Sequence, residues 1–89
     1  MPNLRRYLVE CYWSGVTEPR VAVSANRAQQ AAVDLTGAGS EIRYLTTLLV
    51  PDDEVAFCLF AACSVATVEE VCRRAELPVD RIQQVVQIG

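Results

Sequence analysis

From Val55 to Cys63 the chain runs Val-Ala-Phe-Cys-Leu-Phe-Ala-Ala-Cys without a charge, although 21% of its residues are charged. As a strand this segment carries Phe57 and Leu59 on one side and Phe60 on the other. It therefore needs apolar cover on both faces, from this chain's own helices or from a partner. The run constrains the fold strongly and carries no reactive pattern of its own.

The remaining bounds follow from size. Eighty-nine residues make one domain, 1–89, near the lower end of what folds without disulfides or metals. Hydrophobic residues make up 52% of the chain, which is rich for a domain with so much surface. The excess points to apolar area covered outside the monomer core, most simply in a homodimer. Eight basic and eleven acidic residues give a net charge of -3, which disfavours a nucleic-acid backbone as partner. The apolar runs are too short to span a bilayer, so no membrane is expected. Arg5 and Arg6 are followed by a stretch holding Glu10, without a cleavage pattern, which is not a signal peptide. The expected compartment is the cytoplasm.

Cys11, Cys58, Cys63 and Cys72 show no C-x-x-C spacing, and there is no histidine, which argues against a zinc finger or ribbon. Buried cysteines of this kind behave as small hydrophobes. A reactive thiol or a soft-metal ligand would need two of them to converge in the fold.

Leu4 to Trp13 reads as a first strand, with Tyr7, Val9 and Cys11 on one face and Leu8, Glu10 and Tyr12 on the other. Thr17 caps a helix with Glu18 and Pro19 in its first turn. That helix runs to about Thr36 over a narrow stripe of Val21, Ala25, Ala28, Ala32 and Leu35, and Gly37 is the expected left-handed terminator. Glu41 to Val50 reads as a second strand, with Ile42, Tyr44, Thr46 and Leu48 on one side. Pro51 to Glu54 forms a polar hairpin turn that lacks the ligand spacing and glycine of a calcium loop. After the third strand, Ser64 caps a helix to about Glu76 with Val68, Val71, Cys72 and Ala75 on its inner stripe. Glu69–Arg73 and Glu70–Arg74 are spaced as i,i+4 pairs on its surface. Leu77-Pro78 stops this helix. Val79 to Ile88, with Gln83, Gln84 and Gln87, reads as the most polar strand and so as an edge.

Strand, helix, strand, strand, helix, strand with right-handed crossovers gives an α+β, ferredoxin-like βαββαβ fold. Its four-stranded antiparallel sheet has the first and third strands in the middle and both helices on one face. The other face, holding large apolar groups from three strands, predicts a dimer of the dimeric α/β-barrel type, closed sheet against sheet or through strand edges.

Phe57-Cys58-Leu59-Phe60, Ala62-x-Ser64, Arg73-Arg74-Ala75 and Leu77-Pro78-Val79-Asp80-Arg81-Ile82 resemble a small bacterial family of nickel-binding, ferredoxin-like proteins of unknown function. Arg6 to Glu10 and Arg43-Tyr44-Leu45 are similar too, so the resemblance runs nearly end to end. It implies a non-enzymatic homodimer, with nickel or another transition metal as ligand in at least one member. Imidazole is a usual nickel ligand, and relatives often carry histidine at positions that match Thr46 and Val71 here. A glutamate often found in relatives is Ala61. Glu10 and Cys58 match, which leaves two candidate ligands and implies that metal binding is lost or altered.

Three functions fit these residues. The first is a dimeric binding module enclosing a small ligand near Glu10, Tyr12, Tyr44 and Cys58. A buried carboxylate needs a partner, and Glu10 finds it either in a ligand or in Arg43 or Arg6. The second is a small cofactor-free monooxygenase or isomerase, which needs a histidine or a partnered carboxylate inside the barrel. The third is a structural or regulatory partner protein.

Overall fold

The computed structural model describes residues 3–89. β1 (Arg5–Tyr12) alternates as expected, with Tyr7, Val9 and Cys11 buried and Tyr12 exposed. β3 (Val55–Ala62) pairs with it antiparallel, setting Val9 opposite Cys58 and Glu10 opposite Phe57. These two strands form the centre of the sheet. β2 (Ile42–Val50) flanks β3, and β4 (Arg81–Val85) flanks β1, in the order β2-β3-β1-β4. The uncharged run is thus a central strand, as its composition requires. β4 is an edge, but shorter than the sequence suggests. It ends at Val85, and Val86 and Ile88 lie beyond it, 79% and 91% exposed.

α1 (Glu18–Gly37) begins at Thr17, whose hydroxyl accepts from the Arg20 amide at 3.4 Å, with Pro19 in the first turn. Its inner face is Val21, Ser24, Ala28, Ala31, Ala32 and Leu35. Ser24 and Ala31 therefore join the stripe, while Ala25 is only half-buried. Small residues let the helix lie close to the sheet. The left-handed terminator is Gly39 (φ 103°), not Gly37, which is still helical. The helix runs one residue longer than expected, and the Ala38 amide donates to the carbonyls of Asp34 and Leu35.

α2 (Val65–Ala75) buries Val68, Val71, Cys72 and Ala75 as its spacing requires. Ser64 caps it, accepting from the Thr67 amide at 3.4 Å. Glu76 then turns left-handed (φ 57°), and the amide of Leu77 closes the helix on the Cys72 carbonyl at 3.0 Å. On its surface Glu70 takes both Arg73 (2.5 Å) and Arg74 (2.8 Å), replacing the expected Glu69–Arg73 pair.

Both helices cover one face of the sheet. The core between them joins Tyr7, Val9 and Cys11 to Ala56, Cys58, Phe60 and Ala62 and to the inner faces of α1 and α2. β2 departs from simple alternation. A bulge between Tyr44 and Thr46 shifts its register on β3, so that Tyr44 faces Phe60 but Thr46 faces Leu59. One extra residue reverses the facing of everything beyond it. Ile42, Tyr44, Thr47 and Leu49 consequently share the helix-covered side, and Thr46 and Leu48 go to the other. Among the described residues, no helix is long and apolar enough to cross a membrane.

Candidate functional site

Among the described residues, no element of this chain covers the second face of the sheet. Leu8 on β1 and Phe57 and Leu59 on β3 are half-buried there by their neighbours alone, and Leu48 on β2 is 61% exposed. Glu10 stands in this apolar field, between Phe57 on β3 and Arg81 on β4. The Arg81 guanidinium donates to the Glu10 carboxylate at 3.0 Å. The partner of Glu10 is therefore Arg81, rather than Arg6 or Arg43. Those two lie at the opposite end of the strands, in the cross-strand row through Ala61. The signal for Arg81 was a cross-strand pair of opposite charges, which becomes visible only once the antiparallel register of β4 is known. Both side chains remain partly solvated, so the pair contributes only about 0–1 kcal/mol as it stands.

Tyr12 is on the same open face, two residues along β1, and 54% exposed. At this end of the sheet the chain is tied down by backbone bonds to acids. The Tyr12 amide donates to the Asp80 carboxylate, and the Gly15 amide to that of Glu54 at 2.5 Å. The other two candidate residues lie beneath the helices. Tyr44 packs edge-on against Phe60, with ring centroids 5.8 Å apart at 72°. Its hydroxyl lies 2.6 Å from that of Thr47, which donates to the Cys58 sulfur at 3.4 Å. With the Thr47 proton so engaged, Tyr44 is the donor to Thr47. Glu10, Tyr12, Tyr44 and Cys58 thus form two groups on opposite sides of the sheet. Alternation along β1 and β3 separates Glu10 from Cys58, and the pairing of Tyr44 with Phe60 sets it on the helix-covered side.

The buried thiols are chemically quiet. Burial pushes Cys11 up to about 12, with further contributions from Cys58, Cys72, Asp80 and Glu10. Burial likewise pushes Cys72 up to about 12, and raises Cys58 against the opposing hydrogen bond from Thr47. A thiol held protonated in this way is a poor nucleophile at neutral pH. Three surface grooves lie away from Glu10. One of about 390 Å³ runs between α2 and β4 over Cys72, Leu77 and Ile82, and two others flank α1.

The family model described as "Nickel responsive protein SCO4226-like" matches residues 7–85, a span that takes in both helices and nearly all of the sheet. The chain belongs to the SCO4226-like family. The crystal structure of SCO4226 from Streptomyces coelicolor A3(2) superposes with a TM-score of 0.71, at 19% sequence identity. The match covers 94% of this chain and 99% of that one, and at this identity it shows a shared fold. No curated protein matches the chain.

The donor set of this SCO4226-like chain does not fit a nickel centre. It has no histidine, and among the described residues no three His, Cys, Asp or Glu side chains gather in a group able to hold a metal ion. Glu10 and Cys58, the two retained candidate ligands, face opposite sides of the sheet. Thr46 and Ala61 on the open face and Val71 in the core supply neither imidazole nor carboxylate.

Proposed function

We propose that the chain is a non-enzymatic binding module that works as a homodimer of the dimeric α/β-barrel type. A second copy covers the open sheet face and encloses a small ligand beside Glu10 and Tyr12. The observation that carries this reading is the open face itself. Leu8, Leu48, Phe57 and Leu59 surround a Glu10–Arg81 pair with none of the described residues above them. The central strands are eight residues long, which with strands about 4.8 Å apart makes a face roughly 20 Å by 27 Å. Its accessible area is of the order of the roughly 800 Å² each partner buries in a standard interface. Covering it would also desolvate the Glu10–Arg81 pair, which strengthens its attraction and gives a polar ligand a fixed point of contact.

An enzymatic role as a cofactor-free monooxygenase or isomerase has less support, since Glu10 contacts an arginine rather than an acid with which it could share a proton. Four free thiols suit a reducing compartment such as the cytoplasm. The family description speaks of nickel response, yet this chain's own donors favour a module in which tight nickel binding has been lost. Calorimetry of the reduced protein with nickel is expected to give no micromolar binding, and micromolar affinity would overturn that part of the reading. Leu48→Glu places a charge on the open face at a site already exposed in the monomer. Light scattering is expected to show a loss of dimer with the circular dichroism spectrum unchanged, and an undiminished dimer would contradict the proposed interface.

A further inference from the structure

A groove of about 420 Å³ beside the N-terminal half of α1 gathers side chains that the fold does not itself use. On α1, Arg20, Ser24 and Arg27 fall at i, i+4 and i+7 and so share the flank that lines it. The buried Ser24 is thus set between two exposed arginines. Neither arginine makes an ion pair among the described residues, whereas Arg43, Arg73, Arg74 and Arg81 each hold an acid. Trp13, Pro19 and Val23 supply the apolar lining. Trp13 is pinned through both backbone groups. Its amide donates to the Glu54 carbonyl at 2.8 Å, and its carbonyl accepts from the Val16 amide at 3.2 Å. The Arg20 guanidinium lies over its ring, 5.7 Å from the centroid. An arginine stacked on an indole keeps its N–H edges free for an oxyanion, and loses less freedom when it binds one.

The remaining lining residue, Glu76, breaks two local rules. It is the left-handed cap of α2 (φ 57°), a position that favours glycine or asparagine. It also sets a carboxylate at the negative end of the helix dipole. No ion pair offsets this among the described residues. A residue at odds with its local setting, and unpartnered within the fold, points to a role outside the fold. The groove therefore offers two cationic donors, one carboxylate and an apolar lining. A phosphate monoester carries nearly two negative charges at neutral pH, so Glu76 would oppose what the arginines attract. A single carboxylate that travels with an ammonium satisfies both. We propose that this groove binds an apolar α-amino acid as its zwitterion. The ligand carboxylate accepts from Arg20 and Arg27, its ammonium donates to Glu76, and its side chain rests against Pro19 and Val23. The volume falls within the range of about 300–1,000 Å³ for small-molecule sites. Because the charged groups are exposed, the dissociation constant is expected to be on the order of a millimolar. The groove lies away from Glu10, and the proposal stands apart from the dimer reading.

Trp13 is the only tryptophan in the chain, so its fluorescence reports on this groove alone. Titrations would use phenylalanine, hydrocinnamate, which lacks the ammonium, and phenethylamine, which lacks the carboxylate. Phenylalanine is expected to give a saturable change, and each truncated analogue to bind at least about tenfold more weakly. Arg27→Gln should weaken phenylalanine by a similar factor. Glu76→Gln should also weaken phenylalanine yet bind hydrocinnamate no less tightly, because only the ammonium meets Glu76. Both substituted side chains are exposed, so the circular dichroism spectrum should not change. Arg43→Gln, outside the groove, should leave all three ligands unaffected. Amide shifts on adding phenylalanine to labelled protein are expected at Trp13 and from Arg20 to Arg27. Shifts centred on Glu10 and Tyr12 instead would overturn this site and leave a ligand on the open face standing. No saturable response to phenylalanine would overturn the proposal, as would hydrocinnamate or inorganic phosphate binding as tightly.

Discussion

At the scale of single residues, the four cysteines divide into one exposed thiol, Cys63, and three in the core. The core thiols give the fold an alkaline limit. Cys11 and Cys72 are held at about 12 by burial, against 9.0 for an open thiol. Between those values the unfolded chain has lost protons that the folded chain keeps, so stability falls as pH rises through that window and is unaffected below it. Each thiol contributes a slope of up to about 1.4 kcal/mol per pH unit. Urea unfolding from pH 8 to pH 11 is expected to show this decline, and Cys11→Val should flatten it. A stability independent of pH over that range would contradict the burial argument. The apolar character of these cysteines was legible in their spacing and in the lack of histidine. The pairing of Glu10 with Arg81 was not, since both residues were in view but nothing local sets the register of β4 against β1.

The elements were legible wherever one periodicity governs a whole segment. β1, β3 and the inner face of α2 follow from alternation or helical spacing, and the uncharged run found its central place. The failures lie where one residue changes the count. The extra residue in β2 at Tyr44–Thr46 leaves Tyr44 in the core and turns Leu48 outward, and no glycine or proline marks it. The end of α1 is a second case, because two glycines compete for one left-handed position. Gly37 is helical and Gly39 has φ 103°, with open space around the Cβ position of each. Alanine should therefore have opposite effects at the two sites. Gly37→Ala is expected to stabilise by about 0.5–1 kcal/mol through helix propensity. Gly39→Ala is expected to destabilise by about 1–2 kcal/mol, the penalty of a side chain in the left-handed region. Denaturant midpoints that move in the same direction for both would contradict the assigned helix end.

At the scale of the whole molecule, one face of the sheet is filled and the other is not. The filled face accounts for the core, from Val9 and Phe60 at its centre to the alanines of α1. The open face accounts for the excess of apolar residues in so short a chain. It holds Glu10 and Tyr12 but neither Tyr44 nor Cys58. That one face would be left bare was readable from the element order, because two helices cannot cover both sides of four strands. The central claim is that a second copy supplies the missing cover. Sedimentation equilibrium of the wild-type protein at micromolar concentration tests it most directly. The account predicts twice the mass of the 9.8 kDa chain, whereas a single species at the monomer mass throughout would contradict it.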